Sequence, residues 1–167
     1  MKTPCVVVVG STMIDMITYA KKLPERGQTV QGENFALGFG GKGANQAVMA
    51  ARLGAKVYMV NTLGDDVFGD STIKNFADEG IDTTHIARTS GPSGVAPIWV
   101  EPDGTNRIIC VPGANNSMSP SQAQSAIQEI SRSSEIDVVI GQLEIPQAVT
   151  AAAFRAARQR GIPTILN

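Results

Sequence analysis

Short apolar runs, spaced by helical patterns, constrain this chain more than any other feature. Cys5–Gly10, Val57–Val60, Val138–Ile140 and Thr164–Leu166 are brief and rich in β-branched residues, with no polar alternation. Runs of that kind are strands buried on both faces. Helical patterns lie between them. Ala44–Leu53 sets Ala47, Val48 and Ala51 on one face and stops at Gly54, and a second helix follows Val67-Phe68-Gly69 to about Glu79. Ser119 is the predicted N-cap of a third helix, with Pro120 in its first turn, and Pro146–Gln159 makes a fourth. This alternation predicts an α/β fold: a doubly wound, Rossmann-like parallel sheet with helices on both faces. Ligands of such sheets bind at the carboxyl ends of the strands. The residues to weigh are therefore Asp15, the Gly38–Asn45 loop, the Thr62–Asp66 loop after Val60, and Glu144.

The middle of the chain has a different rhythm. Met13–Tyr19 is mixed, Leu23–Gly27 is a turn and Thr29–Leu37 reads as extended. Ser93–Glu101 and Asn106–Val111 are strand-like and are joined by Pro102-Asp103-Gly104-Thr105. Proline presets φ and glycine accepts positive φ, so this is a hairpin, expected as a flap on the parallel sheet. Gly113–Ser117 reads as a loop.

Charge and composition exclude several classes. The net charge of -1 leaves no basic footprint for nucleic acid or anionic lipid. No apolar run approaches the roughly 20 residues of a membrane helix, and Val6–Val9 is too short for a secretory core. Cys5 and Cys110 both sit in apolar runs and read as reduced core thiols, which points to the cytoplasm. His85 has no second ligand type beside it and is given no chemistry.

The glycine cluster allows several readings. Gly38, Gly40 and Gly43 fit G-x-G-x-x-G, the dinucleotide fingerprint. That fingerprint belongs after the first strand, where Val9-Gly10-Ser11 stands, and an acidic residue should close the next strand, where Val60 is followed by Asn61-Thr62. A P-loop would need Ser or Thr after Lys42, and Gly43 is there. The glycines could also serve packing alone. A further reading is a sugar cradle. Backbone free of Cβ approaches a small ligand closely, Asn45 offers donor and acceptor, and Lys42 supplies a cation. Asp15 and Glu144 can accept from vicinal hydroxyls in charge-assisted bonds.

Several segments resemble a known family. Gly40–Ala47, Ala51-Arg52-Leu53-Gly54-Ala55 and Gly64–Gly69 are similar to the first signature of the PfkB carbohydrate kinases. Val9-Gly10-Ser11 with Asp15, the Pro24–Thr29 turn, Gly113-Ala114-Asn115 and Gln142-Leu143-Glu144 resemble the ribokinase branch. The resemblance runs the length of the chain, residues 1–167. It implies a small β-sheet lid, built from about residues 13–37 and 93–111, that closes over the sugar and forms a homodimer contact. It implies ATP-dependent phosphorylation of D-ribose at the 5-hydroxyl, with Mg2+ and K+ as cofactors. It also implies that Asp15 holds the ribose diol, that Gly41, Lys42 and Asn45 bind sugar hydroxyls, and that Glu144 binds near the anomeric end. Met13 lines the same site, at a position where many bacterial ribokinases have Asn. Another sugar or a nucleoside as acceptor, or a sugar-binding domain without catalysis, are the alternatives.

The family's second signature, a Gly-Ala-Gly-Asp-type run carrying the catalytic base, is absent, as is its Asn-x-x-Glu motif linked to magnesium. No residue of this chain is therefore assigned as catalytic, and residues 1–167 alone are expected to be inactive. The sequence stops at Asn167, directly after an apolar strand with no helix to cover it, from which a missing carboxy-terminal half is expected.

Overall fold

Four consecutive valines, Val6–Val9, need apolar cover on both faces of one strand, and the fold is arranged to give it. The computed structural model describes residues 2–167. The order is β1 (Cys5–Val9), β2 (Met13–Tyr19), β3 (Asn34–Gly40), α1 (Lys42–Arg52), β4 (Lys56–Gly64), α2 (Val67–Asp78), β5 (Ile86–Thr89), β6 (Val95–Val100) and β7 (Asn106–Ile108). A 3-10 turn at Gly113–Ser117, α3 (Pro120–Ser133), β8 (Val138–Gly141), α4 (Gln147–Arg158) and β9 (Thr164–Leu166) complete it.

The strands form two sheets. The larger has five parallel strands in the order β5-β4-β1-β8-β9, which puts β1 at its centre. Its side chains alternate between two cores. Val7 and Val9 pack with Val60, Val139, Ile127 and Val149, under α3 and α4. Val6 and Val8 pack with Val57, Met59, Ala47 and Phe76, under α1 and α2. Each fully buried valine contributes about 1.5–3 kcal/mol. Ser119 caps α3 as predicted, accepting from Gln122 N at 3.1 Å, with Pro120 at the first position.

The smaller sheet has the order β3-β2-β6-β7. β2 runs antiparallel to β3 and parallel to β6, and β6 and β7 form the predicted hairpin, closed by Gly104 N to Glu101 O at 2.9 Å. This sheet stands apart from the parallel one instead of extending it as a flap. Short crossings join the two at Gly10–Thr12, Gly41, Ser90–Gly94 and Ile109–Pro112.

Several expectations need correction. Thr62–Gly64 belongs to β4, which stays buried to its end against Ser93 and the 3-10 turn, so the loop is only Asp65-Asp66. Gly38–Gly40 is strand, because it pairs with Met13–Asp15, and α1 starts two residues before Ala44. The extended segment is strand only from Asn34. Ile86–Thr89, unassigned in the sequence reading, adds an edge strand. Cys5 is buried, but Cys110 is exposed, although Ile109 and Val111 on either side of it still hydrogen-bond to β6 at Pro97 O and Val95. No helix among the described residues is long and apolar enough to cross a membrane.

Candidate functional site

Gly41 turns the chain from β3 into α1 with φ +90° and ψ 134°. A Cβ there would stand 2.8 Å from Thr12 Cα, 2.9 Å from Met13 N and 3.0 Å from Ser11 O. All are backbone atoms, so the turn lies directly on the crossing from β1 to β2. Ordinary side chains avoid that φ, and the sequence meets both demands with glycine.

The first turn of α1 has no side-chain cap of its own. Glu144, from the loop after β8, takes that place. Its Oε2 accepts from Lys42 N at 2.9 Å and from Ser11 Oγ at 2.6 Å, and its Oε1 forms an ion pair with Lys42 Nζ. Ser11 Oγ in turn accepts from Gly43 N at 3.3 Å. Burial pushes the Glu144 carboxyl upward, but the Lys42 and Ser11 hydrogen bonds outweigh it and hold the group below the usual glutamate range.

Asp15 stands across from this cluster. In β2 it pairs with Gly38, and its carboxylate packs against Gly40 so closely that any Cβ there would collide with it. Among the described residues no hydrogen bond or ion pair engages its side chain. Burial, and then the charge of Glu144, push its carboxyl above the ordinary aspartate range. A half-buried carboxylate without a partner, facing a second carboxylate, is an acceptor awaiting donors.

Met13 is 7% exposed and lines a cavity of about 420 Å³ with Cys110, Pro112, Leu143, Glu144 and Pro146. Met13, Asp15, Gly41, Lys42 and Glu144 therefore gather where the two sheets meet. Asn45 follows in the first turn of α1, its N–H donating to Gly41 O at 2.9 Å, and also lines a cavity with Phe39, Met49, Arg52 and Glu79. Sequence reasoning gave no role to Ser11, Asn61 or Asn115, which are fully buried here and hydrogen-bonded around Thr12. Ser11 was legible as a hydroxyl at a strand's carboxyl end, and Asn115 as a polar residue between apolar segments. Among the described residues no group of three or more His, Cys, Asp and Glu side chains is placed to hold a metal ion.

The dinucleotide reading changes in one part. β4 ends at Gly64 and is followed by Asp65-Asp66, so an acidic residue does close that strand. Asp66, however, is engaged by Gly69 N at 2.8 Å, Ser93 N at 2.7 Å and Ser93 Oγ at 2.7 Å. Gly38 and Gly40 lie in the smaller sheet, away from the first parallel strand.

A parallel sheet, a smaller strand-built sheet and a carboxylate-lined glycine turn between them describe a carbohydrate kinase architecture. The pfkB family carbohydrate kinase model matches residues 4–167, and the chain belongs to that family. It is 42% identical over 163 residues to a ribokinase of Mus musculus, and 39% identical over 163 residues to a deoxyribokinase of Salmonella typhi. These matches cover 97% of this chain and 50% and 52% of the relatives, so the chain spans about half their length. The solved structure of Arabidopsis thaliana ribokinase complexed with ribose and ATP superposes with a TM-score of 0.82 at 30% identity, covering 99% of this chain and 53% of that one.

Proposed function

We propose that these residues form the sugar-binding half of an ATP-dependent pentose kinase whose acceptor is D-ribose. One observation carries the reading: Asp15, unpaired on one sheet, faces Glu144, held on the other, across the Gly40–Lys42 turn. Two carboxylates and the two successive glycines Gly40 and Gly41, which carry no Cβ, suit a ligand with several hydroxyl donors. Asp15 takes the diol, Gly41 and Lys42 border the sugar, and Glu144 lies toward its other end. Asn45, bonded through its N–H to Gly41 O, offers an amide to the same sugar from the first turn of α1.

In the reaction the sugar 5-hydroxyl oxygen bonds to the γ-phosphorus of ATP as the bond to ADP breaks. The hydroxyl proton passes to a base that we place outside residues 1–167. The smaller sheet serves as a lid. Phe35, Leu37 and Phe39, exposed at alternate positions of β3, are where we place a second copy of the chain in a homodimer.

Met13 favours a second acceptor, 2-deoxy-D-ribose. Its thioether is a weak acceptor and no donor, so a hydroxyl facing it loses a hydrogen bond, whereas a sugar lacking that hydroxyl loses nothing. The test measures KM for ribose and for 2-deoxyribose in the full-length protein and in Met13→Asn. Ribose turnover that improves about tenfold in Met13→Asn, with 2-deoxyribose preferred by the wild type, assigns the deoxy sugar. A wild-type preference for ribose assigns ribose. Turnover of neither overturns both readings.

A further inference from the structure

The most fully bonded side chain in the molecule lies beneath the site, where the chain crosses between the sheets. Asn115 is 0% exposed. Its Oδ1 accepts from Thr12 N at 2.9 Å and from Asn61 Nδ2 at 3.1 Å. Its Nδ2 donates to Thr12 O at 2.8 Å and Pro112 O at 2.7 Å. One amide thus uses both donors and both acceptor positions. It pairs with the N–H and C=O of Thr12 as a neighbouring peptide would in a sheet. Asn61, also fully buried, adds Nδ2 to Gly10 O at 2.6 Å and accepts from Thr12 Oγ1 at 3.3 Å. Gly94, on another crossing, packs so closely that a Cβ would stand 2.8 Å from both Thr12 O and Pro112 O and would strike Asn115 Nδ2.

Three crossings therefore converge on one side chain, and Thr12 is fixed at its N–H, its C=O and its hydroxyl. Thr12 is the residue on which the site is built. Ser11 before it holds Glu144, Met13 after it lines the cavity, and Gly41 rests on its Cα. We infer that Asn115 is a positioning residue: its amide locks the Thr12 peptide and so sets where Ser11, Met13 and Gly41 stand at the sugar site. Of the proposed sugar contacts it touches Met13 alone, whose sulfur lies 3.9 Å from its Nδ2, and it acts on the others through the backbone. The catalytic consequence rests on the pentose-kinase reading, but the clamp itself does not.

Asn115→Asp in the full-length protein tests it. The substitution keeps the shape and the Oδ1 acceptor, but turns an oxygen instead of an NH2 toward Thr12 O and Pro112 O. Hydrogen exchange of the residue 11–16 segment is expected to quicken about tenfold or more, with β1 and β4 unchanged. Pentose KM is expected to rise about tenfold with kcat within about threefold. Gln122→Ala is the control, since Gln122 bonds Thr62 Oγ1 and Asn61 O without touching Thr12. It should lower the melting temperature and leave KM alone. If Asn115→Asp does not fold, Asn61→Ala should show smaller changes in the same direction. Wild-type exchange at residues 11–16 in a folded variant overturns the clamp, and an equal KM rise in Gln122→Ala overturns its specific role. If the wild type binds no pentose, the sugar reading fails, and exchange at residues 11–16 still decides the clamp.

Discussion

Replacing Gly41 with alanine adds a single methyl group, and the structure says where it goes. At φ +90° a non-glycine residue costs about 1–3 kcal/mol from backbone strain. The Cβ also meets Thr12 Cα, Met13 N and Ser11 O at 2.8–3.0 Å. Those are backbone atoms of a clamped crossing and cannot rotate away, so overpacking adds about 1–3 kcal/mol. The sum, about 2–6 kcal/mol, is a large part of the roughly 5–15 kcal/mol that holds a typical domain. Gly54 separates the two contributions: it has the same φ of +90°, yet a Cβ there meets nothing within 4 Å. Urea denaturation of wild type, Gly41→Ala and Gly54→Ala, with pentose titration of each, is the assay. Gly54→Ala should lose only the strain and bind pentose normally. Gly41→Ala should lose at least about 1 kcal/mol more and bind pentose at least about tenfold more weakly. Equal losses in the two variants, with sugar affinity intact, would refute the close packing of the turn on Thr12.

Asp15→Asn is expected to stabilise the ligand-free protein at neutral pH while weakening pentose binding, as read by melting temperature and calorimetry. The sign follows from burial and the Glu144 charge, which raise the folded carboxyl above its unfolded value. Stability from this group is thus lost as pH rises from the unfolded value through the folded one, and the neutral amide removes that loss. Pentose affinity of the wild type should fall as pH drops through the same raised value, because the acceptor becomes protonated. An Asp15→Asn protein that is less stable and binds pentose normally would contradict both statements. A thiol reagent should find one fast cysteine per chain, Cys110, with Cys5 protected by the core. Cys110→Ser should remove the fast phase and saturating pentose should slow it, because Cys110 lines the Met13–Glu144 cavity. Two fast thiols would show that β1 is not buried.

The parallel sheet was legible because Val6–Val9 and Val57–Val60 announce strands buried on both faces, and the helices between them are amphipathic. The hairpin was legible from Pro102–Thr105. What failed to read locally was set by distant partners. Thr62–Gly64 carries no strand pattern, and it is extended because β4 pairs with β5 at Asn61–Gly64. Cys110 looks like core in sequence and is exposed because the smaller sheet, which Ile109 and Val111 still join, leaves Ile108, Ile109 and Val111 exposed as well. Gly41, Lys42, Asp15 and Glu144 could be listed from the strand ends, but their pairing across the 102 residues between Lys42 and Glu144 carries no local signal. Ser11 and Asn115 stood in family-like segments without a role, because their importance lies in whom they touch across 133 and 103 residues.

The two carboxylates that face each other across the sheets also act when no ligand is present. Asp15 rides on the smaller sheet and Glu144 on the larger, and the charge of one raises the proton affinity of the other. Lys42, paired with Glu144, offsets that charge only in part, so Asp15 still meets a like charge across the glycine turn in the empty site. A neutral polyol that donates hydroxyl hydrogens to both carboxylates replaces that repulsion with a bridge. A sugar acid that brought its carboxylate beside Asp15 would add a further negative charge where none is matched.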